Sequence, residues 1–385
     1  MKSPVRLFGL LVAVAAAAIS AAVPATASGD EGGGQAVFIQ TNDLEGNAIA
    51  AYHRNGDGTL TWLATYPTGG LGGRQNGAGS DPIASQGSLV LVREAGLLLA
   101  VNAGSNTISV FQVSRDRLHL TQVLPSNGPF PSSFGVHDNL AYVLDAGGEG
   151  FVSGYRIAGG RLHPLEGSTR ALGLGNPDLP PFLSSPAQVG FTPDGAHLIV
   201  TTKTHNTVDV FSVGPDGRLS RRRPVKNPVA GTTPVPFAFV FDGAGRMILN
   251  FAGNSSLQTF TVNADNTITP VSANVSDTQA ALCWVTPAAG YEYTSNTASG
   301  NVSQFKVTSN GTVVLVNPIA ASGIAGATDS ATAGGFLYVV AGGSSGQVET
   351  NPSSVYAFSI GSGGALSQIQ IVSINSDDIE GIAVG

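Results

Sequence analysis

Lys203 and His205 stand two residues apart in the run Lys203-Thr204-His205-Asn206-Thr207. An imidazole beside a fixed cation can take or deliver a proton near neutral pH. Asp377, Asp378 and Glu380 gather near the C-terminus, where they could pair an acid with a base, hold a cation, or form a solvated acidic turn. Cys283, the only cysteine, lies next to Trp284. It could be a nucleophile, but no base adjoins it in sequence, and a buried small side chain is the simpler role. His53, His119, His137, His163 and His197 are scattered without metal-ligand spacing, and a single thiol excludes both an intrachain disulfide and a cysteine-based zinc centre. No Gly-x-Ser-x-Gly elbow occurs, and the run Gly69-Gly70-Leu71-Gly72-Gly73 precedes no helix that could cradle a phosphate. The expected chemistry therefore uses no metal and no cofactor.

Such residues need a scaffold, and the scaffold is written as a repeat. An aromatic ends an alternating apolar run seven times, at Tyr52, Phe111, Tyr155, Phe211, Phe260, Phe305 and Phe358. After most of these aromatics comes a hairpin signal such as Asp57-Gly58, Asp216-Gly217 or Asn310-Gly311. The acids and amides of those pairs are turn residues, because Asp-Gly and Asn-Gly supply the positive φ of tight hairpins. Ahead of most of the aromatics lie two further apolar runs, so the unit is four strands and the spacing is that of propeller blades. The prediction is an all-β, seven-bladed β-propeller with four-stranded antiparallel blades. The first unit lacks an inner strand, whereas Ile379 to Val384 is left over at the end. Pairing that segment with the N-terminal blade, near Val37, closes the ring. The longer connections at 68–84, 173–184 and 342–353 are expected to run over one face.

In a propeller, the segments leading into the inner strands and the loops between second and third strands meet at one end of the channel. Register places Gln86, Ser132, Gln188, Phe237, Trp284, Asp329 and Glu380 on the channel lining. Around them stand Asn42, Asp43, Asn102, Asp145, Glu149, Lys203, His205, Asn250 and Asn296. The expected site uses Lys203 and His205 as catalytic groups, with Asn102, Gln86, Gln188, Phe237, Trp284, Asp329 and Glu380 binding the substrate.

Lys2 and Arg6 precede an apolar run from Leu7 to about Val23, and Ala25-Thr26-Ala27 follows. That is the pattern of an export signal, so residues 1–27 are read as a signal peptide and 28–385 as one secreted domain. Without the signal, 16 basic residues face 25 acidic ones, a net charge of −9 that disfavours a nucleic-acid partner. No later run is long enough to span a membrane. Arg221-Arg222-Arg223 follows a hairpin tip and is expected on a solvated outer strand.

The repeat Val101-Asn102-Ala103-Gly104-Ser105-Asn106-Thr107-Ile108-Ser109-Val110-Phe111, the turn Phe191-Thr192-Pro193-Asp194-Gly195 and the export pattern resemble the seven-bladed propeller lactonase family, which includes 6-phosphogluconolactonase and carboxymuconate cyclase. The likeness covers nearly all of the chain beyond the signal. It implies cofactor-free opening or closing of a lactone ring on a small carboxylated or sugar-derived molecule. The chain is expected to be a monomer. Active members carry a Pro-His where this chain reads Pro186-Ala187. They also carry an arginine in the following loop and an Arg-His pair one blade later, regions that read Lys203-Thr204-His205 and Pro236-Phe237-Ala238 here. No family catalytic residue is therefore transferred. The alternative is a propeller that binds an extracellular sugar, lactone or protein without turnover.

Overall fold

Short β-branched runs separated by Gly, Asp and Asn turns fold into seven antiparallel sheets in the computed structural model. It describes residues 1, 35–79, 81–220, 223–232, 234–342, 353–376 and 378–385. The proposed signal peptide, Arg221, Arg222, Asp377 and most of the 342–353 connection lie outside the described residues. Six sheets read from centre to rim in chain order, beginning with the inner strands Leu89–Val92, Pro131–His137, Gln188–Phe191, Pro236–Phe241, Leu282–Ala288 and Ala327–Ala333. In blade 1 the inner strand is Glu380–Val384, paired with Ala36–Gln40 so that Val37 faces Val384 and Gln40 faces Glu380. Each inner strand packs against the next around the circle, and Glu380–Val384 completes it between blades 7 and 2. All seven marker aromatics are buried on the strand that follows the second strand of their blade. Blades 3 and 5 add a fifth short strand, Arg170–Ala171 and Val275–Ser276.

Sheet faces that cannot be buried within one blade are buried between neighbours. Val37, Ile39, Ile382 and Val384 of blade 1 join Tyr338 and Val340 of blade 7 in one apolar cluster. Hydrogen bonds add register to this packing. Tyr142, Tyr293 and Tyr338 each donate a hydroxyl to a hairpin-tip glycine carbonyl of the next blade, Gly217, Gly364 and Gly58, at 2.9, 2.6 and 2.8 Å. The third of these crosses the seam between the last blade and the first. Gly58 has φ 83°, and a Cβ there would run into the Phe336 ring of blade 7. The tip thus needs glycine both for its turn and for the contact.

The connection at 68–84 departs from its expected surface path. After Arg74 it descends into the channel, and Asp81, Ile83, Ala84 and Ser85 are all buried. Its excess length explains this. The step from Pro125 to Pro131 shows how few residues suffice to pass from one blade to the next, so a far longer segment has chain to spend elsewhere. In the channel its polar backbone groups must be satisfied by the blades around it. Ser85 Oγ donates to Ser132 O of blade 3 at 2.5 Å, and Gln86 N donates to Ala187 O ahead of blade 4 at 3.1 Å. The Gln86 side chain exchanges two hydrogen bonds with the Val285 backbone of blade 6, at 3.2 and 3.3 Å.

Three second strands end on a matching residue: Asn102, Asp145 and Asn296. Both asparagines donate Nδ2 to side-chain oxygens of the following strand. Asp145 is fully buried, the nearby Ser126 hydroxyl donates instead to Asn106 O and Gly128 O, and burial pushes the Asp145 pKa up to about 8. The folded chain therefore keeps a proton there that the unfolded chain releases near pH 4, so native stability falls as pH rises from about 4 towards 8. Asp145→Asn is expected to raise stability at pH 8 by ~1–3 kcal/mol and to leave it nearly unchanged at pH 4, as read by denaturant melts at both pH values.

Candidate functional site

A cavity of about 590 Å³ opens at the channel end where the loops of blades 4 to 7 converge. Lys203, Val235 and Phe237, Cys283, and Gly326 line it from successive blades, and Asp81 reaches it from the channel segment. Phe182 and Leu183, from the 173–184 connection, form part of its wall. That connection is held in place by Phe182 N donating to Asn76 O at 3.0 Å.

Lys203 lies on a 3-10 turn, Lys203–His205, with φ 45°. Its side chain is only 1% exposed. Nζ donates to Ala84 O at 3.2 Å and lies 5.0 Å from the Phe182 ring centroid and 5.6 Å from that of Phe237. Burial lowers its pKa, while the charges of Asp81 and Glu380 oppose that fall. An ammonium held between two ring faces and beside carboxylates is stabilised as a cation in an otherwise apolar place.

Asp81 and Glu380 are buried neighbours, and each shifts the pKa of the other. Two carboxyls so placed favour one shared proton over two charges. Burial raises both pKa values, and the Lys203 charge and the Ala84 N–H, at 2.7 Å from Asp81 Oδ1, restrain the rise at Asp81. Glu380 Oε1 also accepts from Ile83 N at 3.1 Å. Asp81 Oδ2 and Glu380 Oε2 are buried and receive no hydrogen bond from the described residues. The shared proton therefore sits mainly on Glu380, with Asp81 the ionised member facing the cavity. A β-bulge aims Glu380: the register slips between Ile39 and Gln40 where Gly381 takes φ 56°. A Cβ on Gly381 would meet Ser88 and Leu89, so only glycine fits.

Other expected site residues divide sharply. Phe237 lines the cavity. Trp284 lies beneath it, fully buried, with its ring 5.0 Å from that of Phe237 and Nε1 donating to Ser85 O at 3.3 Å. Asp329 is buried near Asp81, and its pKa is pushed up to about 7 by burial, offset in part by the Ser330 N–H. Cys283 lines the cavity as well, but burial first and then the Asp81 charge push its thiol far up, which makes it a poor nucleophile. Gln86, Gln188 and Asn102 do not face a substrate. Gln86 is tied to Val285, Gln188 exchanges hydrogen bonds with Phe239 of the adjoining blade at 2.7 and 3.1 Å, and Asn102 is fully buried among Asn47, Thr107 and Ser109. His205 is exposed and outside the cavity, because the tight turn sends it and Lys203 in different directions. Arg223 is exposed ahead of the outer strand Val225–Pro228, and Arg74 pairs with Asp378 beside the cavity.

Asp81 and Phe182 were missed by sequence reasoning. The unexplained length of their two connections is the signal that could have found them. Among the described residues, no three His, Cys, Asp or Glu side chains converge as a metal site. No helix of the described residues is long and apolar enough to cross a membrane.

No family model and no curated protein matches the chain. Solved structures do. A candidate 6-phosphogluconolactonase of Bacteroides uniformis superposes with a TM-score of 0.69 at 16% identity, over 90% of this chain and 98% of its own. The periplasmic gluconolactonase of Pseudomonas aeruginosa gives 0.66 at 17% identity, over 91% and 99%. Virginiamycin B lyase of Staphylococcus aureus gives 0.51 at 12%, over 76% and 85%. The chain thus has the fold of the lactonase-like seven-bladed β-propellers.

If Lys203 is the counter-charge of the carboxyl pair, removing it leaves Asp81 with no cation. Lys203→Met should then lose ~3 kcal/mol or more at pH 7.5, and less at pH 5, where Asp81 takes up a proton and needs no partner. Urea melts at the two pH values measure the difference.

Proposed function

We propose that this protein hydrolyses the ring of a small lactone in the cavity lined by Lys203 and Asp81. The observation that carries the reading is a lysine amine and an aspartate carboxyl in the wall of one otherwise apolar pocket, each within reach of the other's charge. Ester hydrolysis needs both groups. The ammonium faces the carbonyl oxygen and stabilises the negative charge that develops there, an effect strengthened by the dry surroundings. Asp81 takes a proton from a water molecule as its oxygen adds to the carbonyl carbon. The tetrahedral intermediate then collapses, the ring C–O bond breaks, and the departing alkoxide regains that proton from Asp81. Lactone and water become a hydroxy acid, with no cofactor consumed. Glu380 does not line the cavity; it holds Asp81 in place and keeps the shared proton.

The names of two neighbours, a candidate 6-phosphogluconolactonase and a gluconolactonase, support the reaction class. The export pattern at residues 2–27 supports action outside the cytoplasm, and the reading assigns the protein as a monomer acting on a small molecule. His205 has no part in this mechanism.

The pH profile is the test. Activity should rise as Asp81 ionises, above the ordinary carboxylate range, and fall as Lys203 loses its proton, below the ordinary ammonium range. Asp81→Asn should lower kcat by about 10²-fold or more, the usual worth of a general base, whereas His205→Ala should match the wild type. Lactones that bind and survive prolonged incubation would favour the non-catalytic binding role instead.

A further inference from the structure

The same cavity also limits what can occupy it, and this inference rests on the proposed hydrolysis. Its charged groups are matched to one another. Lys203 serves the Asp81–Glu380 pair, while Arg74 pairs with Asp378 and donates to the carbonyls of Ala78 and Gly79. Lys203 is the only cation among the described lining residues, and a phosphate or carboxylate held there permanently would set its charge against Asp81 and occupy the ammonium that the carbonyl oxygen needs. Hydroxyl recognition is as poorly served. Thr297 is the only described lining residue with a side-chain hydroxyl, and it already donates to Ala327 O at 2.8 Å. Beyond Lys203 and Asp81, a sugar ring entering here would find no free side-chain partner among the described lining residues for its remaining hydroxyls. The outer wall offers Phe182, Leu183, Val235 and Phe237 instead. Leu183 is 58% exposed, a large apolar surface left open at the rim. The volume exceeds what a bare five- or six-membered ring would fill.

We propose that the substrate is an uncharged lactone carrying an aliphatic arm, with the ring against Lys203 and Asp81 and the arm laid along Phe182, Leu183 and Val235. The sugar lactones named for two structural neighbours lack such an arm, so this chain differs from them in substrate while sharing their fold.

A series of δ-alkyl-δ-lactones with lengthening arms, set beside glucono-δ-lactone and its 6-phosphate, tests the assignment by hydrolysis with the full-length exported protein. Calorimetry with the matching 3-alkylcyclohexanones, which cannot be hydrolysed, reads binding separately. Affinity and kcat/KM should each rise about fourfold per added methylene until the arm outgrows the wall. Leu183→Asp, a change at an exposed position, should flatten that dependence. If the ketones bind with this dependence but no lactone is opened, the arm assignment stands and the hydrolase reading falls. If glucono-δ-lactone or its phosphate turns over with a kcat/KM equal to or above that of the longer alkyl lactones, the hydrolase reading stands and the arm assignment is overturned. Absence of binding by any arm length overturns both.

Discussion

The strand that closes the ring also brings the buried carboxyl of Glu380 into the site, and everything at the channel end depends on that coincidence. A ring of sheets has exposed edges until its last strand pairs with its first, so Glu380–Val384 must lie beside Ala36–Gln40. The bulge at Gly381 then turns Glu380 inward instead of along the strand. Closure and site assembly are one event. Loosening the tail would expose both the apolar seam between blades 7 and 1 and the carboxyl pair.

The second half of the pair comes from the channel segment, and its position follows from hydrogen bonding. Backbone buried in a channel must find partners, and the segment from Asp81 to Gly87 finds them on blades 1, 3 and 6 and on the approach to blade 4. The segment therefore acts as a spoke assembly that fixes Asp81 relative to Glu380 and Lys203. Desolvation does the rest. In water, an aspartate, a glutamate and a lysine would all be charged; here burial favours one proton shared by the acids and one cation facing them. The scaffold thus sets the protonation of these groups by denying them solvent.

How much could be read from the chain alone depended on whether the signal repeats. The blades were legible because Tyr52, Phe111 and their five counterparts recur with the same neighbours, and the orphan run at Ile379 to Val384 had only one place to go. Lys203 and Phe237 were legible as cavity residues for the same reason, since their positions in the repeat point to one end of the channel, whereas Glu380, read there as a substrate contact, lies behind Asp81 and does not line the cavity. Gln188 and Asn102 occupy equally suggestive positions yet stitch backbone and side chains together. Composition does not distinguish an amide that binds a ligand from one that binds its own fold. Asp81 occurs once, in a non-repeating segment, and its place follows only from long-range contacts with four blades. His205 was misplaced by a tight turn that separates it from Lys203 within two residues.

Titration of Glu380 bears most directly on the idea that ring closure builds a proton-sharing pair beneath Lys203. With carboxyl carbons labelled, NMR can follow the Glu380 resonance across pH in the wild-type chain and in Asp81→Asn. The account predicts a Glu380 that stays protonated at neutral pH and titrates well above the ordinary glutamate range, with its pKa altered when Asp81 is neutralised. A Glu380 that ionises in the ordinary range and ignores Asp81→Asn would contradict it.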